Sequence, residues 1–172
     1  MSQIFEQSFQ ELMLREGGYV LHEVPGDTGG LTYAGISKNN VPSWPGWDII
    51  AKGGTPPTQL VRDFYWNAYW LPLCCEQLPP EIAYSIFSFA VNSSAPYTPK
   101  TAVRLVQLAV GVTPDGVMGP KTVAAITSLS PELFNLRFFL AKITRYAEIV
   151  NKNRTQGKFL LGWVNRSLQD LK

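Results

Sequence analysis

The sequence predicts a mainly α-helical chain with a small β-hairpin lobe in its first third. Apolar residues recur at helical spacing near the start, and proline and serine mark helix beginnings through the second half. Between the two lies the glycine-dense run Gly26-Asp27-Thr28-Gly29-Gly30, which breaks any helix.

Phe5, Phe9, Leu12 and Glu16 follow one another at spacings of four, three and four, which puts them on one core-facing stripe. Gly17 is the natural C-cap, because glycine enters the left-handed conformation without a Cβ penalty. Residues 31–36 are expected as a short strand beside residues 19–22, giving a hairpin-like lobe. Residues 42–57 are rich in Pro, Gly and Trp and read as a long loop or short helical turn, after which Thr58 caps a helix over 59–70. Pro79-Pro80-Glu81 open an apolar helix over 82–91, interrupted at 92–96. Thr98 and Pro99 are expected as N-cap and first helical residue for 100–110, and Gly119 and Pro120 likewise for 121–128. Ser130-Pro131-Glu132 start the longest helix, to about residue 151.

A chain of 172 residues, 45% hydrophobic, can bury a full core and fits one domain. We expect a single unit, with 1–95 as one portion and 96–172 as a helical portion packed with it. No run of 18 apolar residues occurs, and the start Met1-Ser2-Gln3-Ile4-Phe5-Glu6 lacks a basic segment followed by an apolar one, so neither a spanning helix nor a secretory signal is expected. Cys74 and Cys75 are adjacent, an awkward geometry for pairing, and with His22 as the only histidine they cannot supply an ordinary zinc set. Neither a P-loop nor GxGxxG is present. No metal and no cofactor are expected.

Charge is uneven. Residues 1–98 hold 4 Lys/Arg against 9 Asp/Glu, and residues 99–172 hold 11 against 4. Lys100, Arg104, Lys121, Arg137, Lys142, Arg145, Lys152, Arg154 and Lys158 are expected to draw the chain to an anionic envelope, unless they form only a solvated helix face. No nucleic-acid recognition motif accompanies them, so nucleic acid is not an expected partner.

The candidate chemistry lies at the first turn. Glu16 ends a helix on its apolar side, where the last carbonyls and desolvation both raise a carboxyl's pKa toward that of a general acid. Asp27 is the candidate second carboxylate and Thr32 a hydroxyl able to hold water, a set that suits glycoside hydrolysis. Taken singly, each also fits a plainer role: a surface glutamate, a turn former, a strand residue. Tyr33, Tyr65, Tyr69 and Trp70 are candidate sugar-facing aromatics, beside Trp44, Trp47 and Trp66. The pairs Tyr65/Tyr69 and Trp66/Trp70 are four apart, which fits a core stripe equally well. Asn92 offers an amide for an N-acetyl group or for a local turn.

The run Glu16-Gly17-Gly18-Tyr19, then Asp27-Thr28-Gly29-Gly30-Leu31-Thr32 with Gly35-Ile36, resembles the N-terminal signature of glycoside hydrolase family 108 muramidases. The likeness continues through Tyr65-Trp66-Asn67-Ala68-Tyr69-Trp70, Ala90-Val91-Asn92-Ser93, Asp115-Gly116-Val117-Met118-Gly119-Pro120-Lys121-Thr122 and Gly162-Trp163-Val164-Asn165-Arg166. The fourth string is similar to the DG-x-x-GP-x-T element of a peptidoglycan-binding region, and the fifth to its closing GW-x-x-R. The resemblance implies a lysozyme-like helical fold, cleavage of the N-acetylmuramic acid β-1,4 N-acetylglucosamine bond, peptidoglycan strands as partner, and Glu16 as the catalytic glutamate. A looser likeness to phage-type lysozymes implies the roles of Asp27 and Thr32. Ser88 stands where an aspartate is often found and Ser94 where a glycine is usual. The interval between Glu16 and Asp27 is longer than the family's, so Glu23 competes with Asp27 for the second role.

Three functions are open at this level: a muramidase, a lytic transglycosylase using one glutamate, and a non-catalytic wall-binding protein. The leading expectation is a monomeric phage endolysin, made in the host cytoplasm and acting on the wall after release.

Overall fold

The structure, a computed structural model, describes residues 1–15, 17–23 and 30–171. Helix α1, Gln3–Arg15, buries Phe5, Phe9, Leu12 and Met13, the stripe its spacing predicts. Ser2 Oγ caps it by accepting from Phe5 N at 3.2 Å. At its far end Gly17 and Gly18 are both left-handed, φ +83° and +75°, and the Gly18 N–H reaches back to the Met13 carbonyl at 2.9 Å. That bond closes the end in the manner of a Schellman turn.

Three strands of two residues each follow: β1, Leu21–His22, β2, Thr32–Tyr33, and β3, Ile36–Ser37. They form an antiparallel sheet in chain order, with Leu21 opposite Tyr33 and Thr32 opposite Ser37. Ala34 and Gly35 join β2 to β3 with φ of +48° and +77°. Positive φ at both central residues is the type I′ turn, whose twist suits a hairpin.

The Trp-rich segment holds a short helix, α2, Gly46–Ala51. Trp44 and Trp47 are buried, meet edge to face at 5.2 Å, and sit under Tyr33, whose ring stacks on Trp44 at 6.0 Å. Trp47 Nε1 donates to the Val41 carbonyl at 2.8 Å. This segment is therefore a floor for the hairpin.

Helix α3, Thr58–Tyr65, departs from expectation at both ends. Thr58 is its first helical residue and Pro57 precedes it; the Thr58 hydroxyl accepts from Arg62 at 3.2 Å instead of capping. After Tyr65 the chain widens into a π-helical turn, Trp66–Trp70, closed by Leu71 N to Trp66 O at 3.0 Å. The wider turn changes the helix phase, so that Ala68, Tyr69 and Trp70 in succession are buried.

A 3₁₀ turn, Cys75–Gln77, leads to the central helix α4, Pro80–Ser93, which buries Ile82, Ile86, Phe87, Phe89 and Ala90. It runs past Val91 and takes Asn92 and Ser93 into its last turn. Burial pushes the Cys75 thiol well above its ordinary range.

Helices α5, Lys100–Val110, α6, Pro120–Thr127, α7, Pro131–Lys152, and α8, Gly157–Gln169, complete the chain. Gly119 caps α6 with Pro120 in its first turn, as its spacing predicts. Ser130 Oγ caps α7 by accepting from Leu133 N at 3.3 Å. The expected Thr98–Pro99 start of α5 is corrected: Pro99 lies before the helix, and Ser94 Oγ caps it by accepting from Ala102 N at 3.0 Å. Ser94 therefore has a structural task.

The core is continuous from α1 to α7. Phe87 meets Phe5, Tyr65 and Trp70, and Phe89 meets Phe138 edge to face at 5.4 Å. Lys142 belongs to this core and is 1% exposed, which removes it from the basic surface expected of it. Its ammonium pairs with Asp170 at 2.9 Å and lies over the Phe138 ring at 4.8 Å. Desolvation pulls the Lys142 pKa down, and Asp170 partly restores it. Among the described residues, no helix is long and apolar enough to cross a membrane.

Candidate active site

Glu16 and Asp27 lie outside the described residues, so the site is built from what flanks them. Arg15, the last residue of α1, binds Glu11 at 2.9 Å and Asp170 at 3.0 Å, and its guanidinium lies over the Tyr84 ring at 5.2 Å. Two carboxylates thus share the nearest cation in sequence, and one of them comes from the end of α8. Helix α8 thereby fixes the last residue of α1, the position from which the chain proceeds to Glu16.

Further along the chain, the β2–β3 hairpin carries Thr32 and Tyr33. The Thr32 hydroxyl is part-buried and donates to the Gly30 carbonyl at 3.2 Å. Tyr33 is 4% exposed, and burial, with Tyr19 nearby, pushes its phenol pKa up. A cleft of about 430 Å³ opens between this hairpin and the end of α4. Gly35, Ser37 and Asn40 line one wall, Asn92 and Ser93 the other, with Tyr69 and Phe64 between them.

The aromatic candidates divide. Trp70 has no exposed surface, and its Nε1 donates to the Glu76 carboxylate at 2.5 Å, so it belongs to the core rather than to a sugar-binding face. Tyr65, 1% exposed, stacks on Tyr69 at 6.1 Å and donates its hydroxyl to the Ala34 carbonyl at 2.9 Å. It buttresses the hairpin turn instead of meeting ligand. Tyr69 alone of that segment's candidates lines the cleft, with a phenol pKa raised by burial and by Tyr97. The four-residue spacings in that segment thus report the core, as such spacings usually do.

Asn92 is held at the cleft wall. Its Nδ2 donates to the Ser88 carbonyl at 3.0 Å, and its Oδ1 accepts from Arg166 Nη1. Arg166 belongs to the closing GW-x-x-R string, and sequence reasoning missed it as a partner of Asn92 across 74 residues. The signal available was the pair of short strings, central and closing, in which the two residues stand.

The Asp115–Gly116 string proves to be a clamp. Gln107 is 1% exposed; its Nε2 donates to Asp115 at 2.7 Å, Val117 O at 3.1 Å and Thr122 at 3.2 Å, and its Oε1 accepts from Gly116 N at 2.8 Å. These bonds, with Val117 N, hold the Asp115 carboxyl below the usual range. Its polar groups are spent on one another. Among the described residues no group of His, Cys, Asp and Glu could hold a metal ion.

Comparison with known proteins assigns the halves. Residues 9–94 match the family described as Glycosyl hydrolase 108, and residues 101–168 match one described as Predicted Peptidoglycan domain. A helical fold with a small hairpin lobe, joined to such a second half, defines a glycoside hydrolase that acts on peptidoglycan. The chain belongs to the glycosyl hydrolase 108 family. The structure of SagA from Brucella abortus superposes on it with a TM-score of 0.76 at 24% identity, covering 97% of this chain and 91% of that one, which establishes the shared fold. No curated protein matches the chain.

Proposed function

We propose that the enzyme is a muramidase, hydrolysing the bond between N-acetylmuramic acid and N-acetylglucosamine with Glu16 as general acid. The observation that carries this is the cleft between the hairpin and Asn92, within a hydrolase match that contains Glu16 and Asp27. Glu16 gives its proton to the glycosidic oxygen as the bond from the muramic acid C1 breaks, and the N-acetylglucosamine leaves with its 4-hydroxyl restored. Asp27 takes a proton from water, which adds to C1, or stabilises the cationic sugar; Thr32 holds the water. Tyr69 lines the cleft, whereas Tyr33, expected to face sugar, is buried on Trp44 and supports the hairpin from below, and Asn92 presents its amide to an N-acetyl group. Glu23 is the competing second carboxylate, and Asp27→Asn against Glu23→Gln separates the two.

Mass spectrometry of soluble products from purified peptidoglycan tests this, comparing wild type with Glu16→Gln after both are shown to fold. Reducing muramic acid ends from wild type, lost by about a hundredfold or more in the variant, are expected. Anhydro ends would make it a lytic transglycosylase, and wild type that binds without cleaving would make it a wall-binding protein.

We propose a biological role in lysis from within, as a monomeric phage endolysin whose basic second half draws it to the anionic envelope. Lysis of a Gram-negative host expressing the protein is expected only once its inner membrane is permeabilised. Lysis without permeabilisation would overturn that role and leave the chemistry standing.

A further inference from the structure

A second cavity of about 570 Å³ adjoins the cleft. Asn92 and Ser93 line both, so the two are neighbours at the end of α4. The far wall of the second belongs to α7 and α8, which places it on the seam between the two family matches. Its chemistry differs from that of the cleft. Tyr146, Trp163 and Phe159 form a ladder of rings, with centroids 5.3 Å and 6.0 Å apart, and Phe159 is 46% exposed. Arg145, Lys158 and Arg166 stand around them, Lys158 with its ammonium 4.9 Å from the Phe159 ring.

The carboxylate in this cavity does not cancel those charges. Asp170 is 4% exposed at its side chain and is taken up by Lys142 and Arg15. Arg166 is tied to Asn92, whereas neither Arg145 nor Lys158 forms an ion pair among the described residues. A cationic, aromatic cavity next to a glycan cleft suits an anionic group on the same substrate. The sugars of the strand are neutral, and the muramic acid carboxyl is consumed in the amide that attaches its peptide. The free carboxylates of peptidoglycan are therefore on that peptide.

We propose that the cavity between α4, α7 and α8 binds the carboxylates of the stem peptide through Arg145 and Lys158, with Trp163 and Phe159 packing on its backbone and apolar side chains. The proposal rests on the muramidase reading. It makes peptide-bearing strands better substrates than bare glycan, and it gives the second half of the chain a task in substrate choice.

The test compares kcat/KM on peptidoglycan strands carrying their peptides with that on the same strands after carbodiimide coupling has capped the peptide carboxylates as neutral amides, because stripping the peptide with an amidase would restore the muramic acid carboxylate. Wild type is expected to favour the former about tenfold, the worth of one or two charge-assisted contacts. In Arg145→Glu/Lys158→Glu that ratio falls toward one, and Arg145→Gln/Lys158→Gln falls between. Lys121→Glu, an equal charge change per residue outside the cavity, keeps the wild-type ratio. A wild-type ratio near one, or an equal collapse in Lys121→Glu, would overturn the proposal while cleavage itself upheld the muramidase. Direct titration with a soluble muramyl peptide reads the cavity without catalysis: binding weakened about tenfold by the double charge reversal is expected, and unchanged binding refutes the proposal. Wild type that cleaves neither substrate would instead sink the muramidase reading.

Discussion

Two short glycine-containing loops are each clamped by a side chain from a helix, and they are clamped unequally. The hairpin turn at Ala34–Gly35 is held by the Tyr65 hydroxyl on one carbonyl. The loop at Asp115–Gly116 is gripped by Gln107 through donors and acceptor together. Both stand in strings that look equally prominent in the sequence. The second spends its polar groups internally and is architecture. The first stands at the edge of the cleft, where Gly35, Ser37 and Asn40 line the wall. Prominence in the sequence therefore does not separate a loop that closes on itself from one that stands at a cleft.

The largest expected effect breaks the stronger clamp. Gln107→Leu strands the buried Gly116 N–H, while the exposed Asp115 carboxylate turns to water, and should cost about 1–3 kcal/mol in urea unfolding, with kcat on folded enzyme near wild type. Loss of kcat without loss of stability would make that loop part of the site.

Next comes the weaker clamp. An added Cβ at Gly35 would lie 2.5 Å from Tyr65 Oη at a φ of +77°, so Gly35→Ala should cost about 1–3 kcal/mol and lower activity more than stability. Gly17 sharpens the contrast, because φ there is +83° with nothing within 4 Å of a Cβ. Gly17→Ala should cost only the backbone strain, about 1 kcal/mol. Tyr65→Phe, which removes one hydrogen bond, should cost about 1 kcal/mol by thermal or urea unfolding.

The smallest effect is in pH. Tyr69 and Tyr84 have pKa values raised above the ordinary 10.0, and Cys75 above 9.0, chiefly by burial. In the fold these groups keep protons that the unfolded chain releases, so stability is full below about pH 8 and falls as pH rises through 9 and 10. Lys142, lowered from 10.5, acts oppositely and adds stability as pH climbs toward that value. A net decline above pH 9 is expected in denaturant midpoints, and Tyr69→Phe should make it shallower.

Local chemistry was legible in the sequence. The Ser130 cap, the Gly119–Pro120 start and the left-handed end at Gly17 follow from residue type within one turn. What was not legible depends on contacts between distant segments. Ser94 caps a helix from eight residues away, displacing the nearer Thr98. The π-turn puts Trp70 wholly inside, and Lys142, a basic residue on a long helix, is buried because Asp170 meets it from another. Of the candidate site, Glu16 and Asp27 lie outside the described residues; Asn92 was legible as a polar candidate and does line the cleft, but its Arg166 partner was not, because that pair spans 74 positions.

The bond from Arg15 to Asp170 joins residues 155 positions apart. During synthesis the end of α1 leaves the ribosome long before the carboxylate that anchors it, and Lys142 waits for the same group. The Arg15 side chain therefore lacks this anchor until nearly the whole described chain has been made. Chains that stop short of Asp170 lose the partner of Arg15 and of the buried Lys142 at once, and are expected to unfold at lower denaturant.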